Sequence, residues 1–287
     1  MNVVHAFSAY NLNSEEKMFS FKGNWSNAFY HYLSWILSFR LAEKNYPSVT
    51  LYTDPIGKKI LIDALKLPYN EVVIVQNIPL WYTSVKLFAL QDQKQPFVCI
   101  DSDVYLWQKL PDEIEKSKVF VQHLEKLNFE SLYKPTLKKI KEVIPKTPLC
   151  WSQNITHSFN TGVVGGNNPE IFKEYWNQYQ SILSEDNIKI FNKLGKDKKD
   201  SRPIQFSWNV VIEQYTFACI LKSFNQKPNL LFEFEQNMEK EAYKLKFSHV
   251  MLDKNEETGE RLRKRVSQDY TKDYENLQQL LRNKKWI

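Results

Sequence analysis

The sequence predicts an α/β fold: a wound, mixed but mostly parallel sheet flanked by helices, with a helical C-terminal extension. Three observations lead there. Short apolar runs alternate with helical patterns through the first half, the order that βα units impose. The 287 residues are 43% hydrophobic, with eight Trp, fifteen Tyr and eighteen Phe, enough for one large core. From Arg261 onward the chain is charged and helical in pattern.

Asn2-Val3-Val4-His5-Ala6-Phe7 reads as the first strand. Residues 27–44 read as a helix whose apolar face is Phe29, Leu33, Ile36, Leu37, Phe39 and Leu41. Residues 49–53 form the second strand, and Asp54-Pro55-Ile56-Gly57 is turn chemistry before a helix at 58–66, stopped ahead of Pro68. The third strand is 72–75, followed by a helix at 84–91 and the fourth strand at 96–100. Beyond it, 118–123 reads as a strand, 132–144 as a helix closed by Pro145, and 151–166 as a strand and turn. Asn168 and Pro169 start an aromatic helix that runs to Ser184. The polar, lysine-rich stretch 185–202 reads as a mobile loop or insertion, 209–222 as a buried helix, and 242–251 as a strand or loop. No repeat or low-complexity linker interrupts the chain. The expected organisation is one domain over 1–255 and a charged helical tail over 256–287.

The net charge of +6 suits an acidic ligand but is too small an excess to indicate nucleic acid. The basic tail residues Arg261, Arg263, Lys264 and Arg265 read as a solvated or partner-facing helix, with contact to anionic lipid as a further option. Cys99, Cys150 and Cys219 are odd in number and lack CxxC spacing, and Cys99 and Cys219, in apolar surroundings, fit small core residues rather than disulfide or metal partners. No stretch approaches the roughly 20 apolar residues of a membrane span, and the amino terminus lacks the features of a signal peptide. The expected location is the cytoplasm, with peripheral attachment to the inner membrane face as the furthest departure from it.

The strongest chemical signal is Asp101-Ser102-Asp103, which ends the apolar run Phe97-Val98-Cys99-Ile100. On an extended chain, carboxylates one residue apart point to the same side. Their repulsion calls for an offset, and a divalent cation held by one or two carboxylates supplies it. A solvated strand-end turn is the bland alternative. Three of the seven glycines (Gly162, Gly165, Gly166) fall within Phe159-Asn160-Thr161-Gly162-Val163-Val164-Gly165-Gly166-Asn167, where the amide and hydroxyl of Asn160 and Thr161 suit hydrogen bonds to sugar hydroxyls. His249 is the best third ligand for the cation, although a lone His among apolar residues is more often a hydrogen-bonded core residue. Glu213-Gln214 lies inside an apolar helix, where a charge needs a partner or a job; an exposed helix face is the competing account.

In order and spacing these motifs resemble nucleotide-sugar glycosyltransferases of the GT-A fold. The resemblance is to an uncharacterised bacterial glycosyltransferase-like family and, more distantly, to the glycogenin and lipopolysaccharide galactosyltransferase group. It rests also on Ser34-Trp35, Leu51-Tyr52-Thr53-Asp54, Pro96-Phe97 through Leu106-Trp107, Gln122-His123-Leu124-Glu125 and Glu213-Gln214-Tyr215, and covers residues 1 to about 255. It implies a hexosyltransferase that uses Mn²⁺ or Mg²⁺ and moves a sugar from a nucleotide diphosphate donor, UDP-sugar favoured, to a glycan, lipid or protein acceptor. On that resemblance Asp101 contacts donor ribose and metal, Asp103 chelates the metal and His249 completes the protein ligands. Asn160, Thr161 and Gly162 lie near the donor sugar or acceptor, with Asn160 counted among the catalytic side chains. Glu213 or Gln214 stands beside the anomeric carbon. Ala6, Phe7, Tyr10, Thr53 and Asp54 hold base and ribose, and Lys254 approaches the diphosphate. There are departures from the glycogenin-type pattern: Leu252 replaces a glycine, Lys254 falls five rather than six residues after His249, and Glu213-Gln214-Tyr215 replaces Asp-Gln-Asp. A non-catalytic carbohydrate- or nucleotide-binding module is the alternative. A sugar-1-phosphate nucleotidyltransferase ranks lower, because residues 5–13 contain no glycine for a phosphate loop.

Overall fold

The computed structural model describes residues 1–9, 12, 14–76, 78, 83–194, 204–233, 238–251 and 254–283. Tyr10, Leu252 and the 195–202 part of the lysine-rich stretch lie outside the described residues.

The first half builds a parallel wing from β1 (Asn2–Phe7), β2 (Val49–Thr53), β3 (Glu71–Ile74) and β4 (Phe97–Ile100). Its helices are α1 (Glu15–Ser20), α2 (Ala28–Asn45), α3 (Pro55–Lys58, continued by a π-helical turn over Lys59–Ala64) and α4 (Ser84–Asp92). Local chemistry sets these boundaries. The Asn27 side chain caps α2 by accepting from Tyr30 N–H, while Asp54 caps α3 with Pro55 at its first position.

After β4 the chain turns into β5 (Val104–Leu106), α5 (Asp112–Glu115) and β6 (Val119–Glu125). A π-helical turn (Phe129–Tyr133), α6 (Lys134–Val143) and a 3₁₀ turn (Leu149–Gln153) lead to β7 (Ser158–Gly166). The remainder is α7 (Pro169–Gln180), α8 (Glu185–Leu194), α9 (Ile204–Ser223), β8 (Asn229–Leu230), α10 (Met238–Lys244), β9 (Phe247–His249), α11 (Glu256–Asp269) and α12 (Thr271–Asn283). The main sheet has the order β3-β2-β1-β4-β7-β6-β8. Only β7 runs against the others among the described strands, pairing antiparallel with both β4 and β6. This is the wound, mixed, mostly parallel sheet expected of the sequence. A second, two-stranded ribbon joins β5 to β9.

Strand periodicity divides the core between the two sheet faces. Val3, Val98 and Ile100 face a cluster with α2, α11 and α12, whereas Val4, Phe97 and Cys99 face one with α4, α7 and α9. Each fully buried aliphatic side chain contributes about 1.5–3 kcal/mol. The three cysteines are free and buried, as expected for Cys99 and Cys219. Leu262, Val266, Leu277 and Leu281 carry the C-terminal helices into the first cluster, and Arg40 holds α12 through both oxygens of Asp273 at 2.7 and 2.9 Å. No described helix is long and apolar enough to cross a membrane.

One expectation is corrected. The lysine-rich stretch is not a loop over its first ten residues, which form α8. Phe191, buried against the edge of the Trp208 ring at 6.0 Å between centroids, anchors this helix. Ile188 and Phe191 supply the three-residue apolar spacing that the lysines obscure.

Candidate functional site

The acidic triplet lies between the main sheet and the ribbon. Asp101 N–H donates to the Gly162 carbonyl at 2.9 Å, and Val104 N–H donates back to the Asp101 carbonyl at 3.0 Å. Residues 101–103 therefore form a tight turn, not the extended segment the alternation argument assumed. The turn itself brings the two carboxylates together. Ser34 on α2 fixes it by donating its hydroxyl to the Ser102 carbonyl at 2.8 Å.

The ribbon delivers the imidazole. Val104 pairs with His249, and Val250 N–H donates to the Asp103 carbonyl at 3.0 Å. One ligand atom each from Asp101, Asp103 and His249 lies within 4.8 Å of the others. Gly162 makes this possible, because a Cβ there would fall 2.4 Å from His249 Cε1. Behind the ring, Nδ1 lies 2.7 Å from Gln122 Oε1. An amide oxygen only accepts, so Nδ1 carries a proton, and Nε2 is the ring atom turned toward Asp103.

Charges are tightly compensated. Lys254 Nζ lies 2.7 Å from Asp103 Oδ2, and His249 Nε2 3.5 Å from Asp103 Oδ1. Burial pushes the Asp103 carboxyl up, but His249 and Lys254 outweigh it and hold the carboxyl below its ordinary value.

A second cluster adjoins the first. Glu213 on α9 and Lys86 on α4 are both buried, with Lys86 Nζ 2.9 Å from Glu213 Oε1 and 2.8 Å from Asp101 Oδ1. The same ammonium donates to the Thr161 carbonyl at 2.8 Å, and Thr161 Oγ1 donates to Glu213 Oε1 at 2.7 Å. Burial alone lowers an ammonium pKa, yet Asp101 and Glu213 lift that of Lys86 above its ordinary value. Lys86 was absent from the residues singled out by sequence. Its signal was a charge inside the apolar run Val85-Lys86-Leu87-Phe88, the same signal that marked Glu213.

The other expected residues sort by contact. Gln214 accepts from the Tyr133 hydroxyl, so its amide is committed toward the turn before α6. Asn160 Oδ1 accepts from Gly162 N–H at 3.0 Å and its Nδ2 donates to Glu125 Oε1 at 3.2 Å, which places it, buried, between Gly162 and the end of β6. Burial opposes ionisation of Glu125, but hydrogen bonds led by His123 hold its carboxyl below the ordinary value. Thr53 Oγ1 donates to the Phe7 carbonyl at 2.9 Å, and Asp54 accepts from Ala9 N–H at 2.6 Å and Gly57 N–H at 2.8 Å. Ala6, Phe7, Thr53 and Asp54 thus tie the exits of β1 and β2 together, at the same sheet end as Asp101.

A family model described as a family of unknown function (DUF6734) matches residues 1–280. No curated protein matches the chain. Among solved structures, the chain is similar to the apo form of the glycosyltransferase GlyE of Streptococcus pneumoniae TIGR4, with TM-score 0.38 and 11% identity over 88% of this chain and 54% of that one. It thus spans about half of the GlyE chain. Mouse xyloside xylosyltransferase 1 is similar with TM-score 0.39 and 9% identity, over 85% of this chain and 93% of that one. An active-site mutant of LgtC is similar with TM-score 0.41 and 12% identity, over 93% and 96%.

Proposed function

We propose that this chain, which belongs to the DUF6734 family, is a metal-dependent glycosyltransferase of the GT-A type. It moves a hexosyl group from a nucleoside diphosphate sugar, UDP-linked by preference, to a glycan, lipid or protein acceptor. The observation that carries this reading is the convergence of Asp101, Asp103 and His249 within 4.8 Å beside the buried Lys86–Glu213 pair. Wound sheets bind ligands beyond the carboxyl ends of their strands, where these groups sit.

The donor set fits a hard divalent cation. Mn²⁺ and Mg²⁺ take carboxylate oxygens, and Mn²⁺ also accepts imidazole, at roughly 2.0–2.3 Å, so ligands on opposite sides of one ion stand about 4–4.6 Å apart. Asp101, Asp103 and His249 would hold Mn²⁺ or Mg²⁺, which stabilises negative charge on a departing diphosphate. Lys254, ion-paired with Asp103, contributes a second positive charge on the diphosphate side. Glu213 presents its carboxylate to the positive charge that builds on the sugar ring. Lys86 and Thr161 fix the orientation of that carboxylate through its Oε1. Asn160 lines the acceptor side, and the segment from Ala6 to Ala9, braced by Thr53 and Asp54, receives base and ribose.

Donor turnover tests this directly. The chain is incubated with Mn²⁺ and a panel of UDP- and GDP-sugars, and free nucleoside diphosphate is measured. The expected result is metal-dependent hydrolysis of one donor by the wild type and none by a folded Asp103→Asn variant. Donor binding without hydrolysis or transfer would replace the enzyme with a binding module of the same fold.

A further inference from the structure

We propose that residues 126–149, which lead from the end of β6 over α6 to the 3₁₀ turn, form a docking surface for an anionic phospholipid membrane. The charge of this stretch is lopsided. It holds six lysines (Lys126, Lys134, Lys138, Lys139, Lys141, Lys146) against two glutamates (Glu130, Glu142), a net +4 of the chain's +6. All six lysines are exposed. Lys134 is offset by Glu130 at 2.8 Å, and Lys141 stands 5.9 Å from the centroid of the Trp151 ring. Lys126, Lys138, Lys139 and Lys146 have no carboxylate within ion-pair distance among the described residues. By contrast, Arg261, Arg263 and Arg265 of the basic tail each pair with a glutamate or aspartate on their own helix. The three tail arginines are thus neutralised within their own helix, whereas these four lysines are not.

The same stretch is unusually apolar where it is wet. Leu127 is 65% exposed, Leu132 37%, Val143 39% and Leu149 83%, four of the seven large hydrophobic side chains exposed among the described residues. Helix α6 turns Leu137 and Ile140 into the core, so its lysines occupy the outward face. Lysines interspersed with exposed aliphatic groups match a bilayer surface: anionic headgroups attract each ammonium by about 1 kcal/mol, and the leucines enter the boundary of the acyl region. A single-stranded nucleic acid is the poorer match, because stacking needs exposed aromatic rings or arginine, and here Phe129 and Tyr133 are buried and arginine is absent.

Position links the surface to the site. Leu127 lies two residues beyond Glu125, whose carboxylate accepts from the buried Asn160 amide. Because β4 and β6 both run against β7, a membrane bound there lies at the sheet end that carries Asp101, which makes a lipid-anchored acceptor the natural one. That last clause rests on the transferase reading; the docking surface does not.

The experiment is co-sedimentation of the full chain with vesicles of phosphatidylcholine alone or with about 30 mol % phosphatidylglycerol, at roughly 0.1 M salt. Wild type is expected to bind only the anionic vesicles. The Lys138→Glu/Lys139→Glu/Lys141→Glu variant is expected to lose about a hundredfold or more in partitioning. Leu127→Ser/Leu132→Ser is expected to lose about tenfold. An Arg261→Glu/Arg263→Glu/Lys264→Glu variant of the tail is expected to bind like wild type, and circular dichroism confirms that every variant is folded. Absence of wild-type binding overturns the proposal. So does loss confined to the tail variant, or a Leu127→Ser/Leu132→Ser variant that binds unchanged, which would mark a polyanion patch without lipid contact. Equal binding of single-stranded DNA, with no dependence on the leucines, would assign the patch to nucleic acid instead.

Discussion

The Lys86 ammonium lies 2.9 Å from the Glu213 carboxylate, joining α4 to α9 at a point where both side chains are buried. Because Asp101 shares the same ammonium at 2.8 Å, one cation links the expected metal site to the carboxylate proposed to face the sugar.

Removing that cation isolates a buried carboxylate. Lys86→Met is expected to lose about 3–5 kcal/mol of stability in urea denaturation, and Lys86→Met/Glu213→Gln to recover much of it. Equal losses in the single and double variants would show that the pair is not coupled.

The acid limb of stability follows from Asp103. Its carboxyl titrates below the ordinary 3.8 in the folded chain. Folding therefore favours the ionised form, and the contribution is present above about pH 4 and lost as pH falls toward the folded value. Asp103→Asn is expected to be less stable than metal-free wild type at pH 7, with a gap that narrows steadily as pH falls from about 4 toward the folded value. Urea midpoints across that range check this; a gap that widens on acidification contradicts it.

Gly162 and His249 test the geometry of the ribbon. A Cβ at 162 would meet His249 Cε1 at 2.4 Å, so Gly162→Ala must displace the ring. Mn²⁺ affinity is expected to fall about 10- to 100-fold, with the fold retained. Unchanged affinity would remove the imidazole from the ligand set.

Gln122 should act through the imidazole alone. Gln122→Leu frees Nδ1, unfixing ring and tautomer, and is expected to weaken Mn²⁺ binding about 10- to 100-fold. Gln122→Glu, which can still accept from Nδ1, is expected to retain most of the affinity. Isothermal titration checks both, and a loss equal in the two variants would point to disrupted packing of β6.

Much of this was legible in the sequence, and each exception has its own physical cause. The wound sheet followed from short apolar runs separated by helical patterns, and the Asp101, Asp103 and His249 convergence from residue chemistry at strand ends. The turn at 101–103 was missed because two-residue alternation takes the strand to continue, whereas the Val104 N–H bond to the Asp101 carbonyl ends it. Lys86 was missed because a lysine on a short helix is ordinarily solvated, and burial is decided by which helix packs opposite. Helix α8 was missed because lysine density outweighed its apolar spacing. The partners of Gln214 and Asp54 are tertiary contacts that no local pattern encodes.

An electron paramagnetic resonance titration of the chain with Mn²⁺ in the presence of UDP reads out occupancy of the Asp101, Asp103 and His249 site. One bound ion per chain is expected, abolished by Asp103→Ala and strongly weakened by His249→Ala. No bound Mn²⁺ in the wild type, or undiminished binding in both variants, would contradict it.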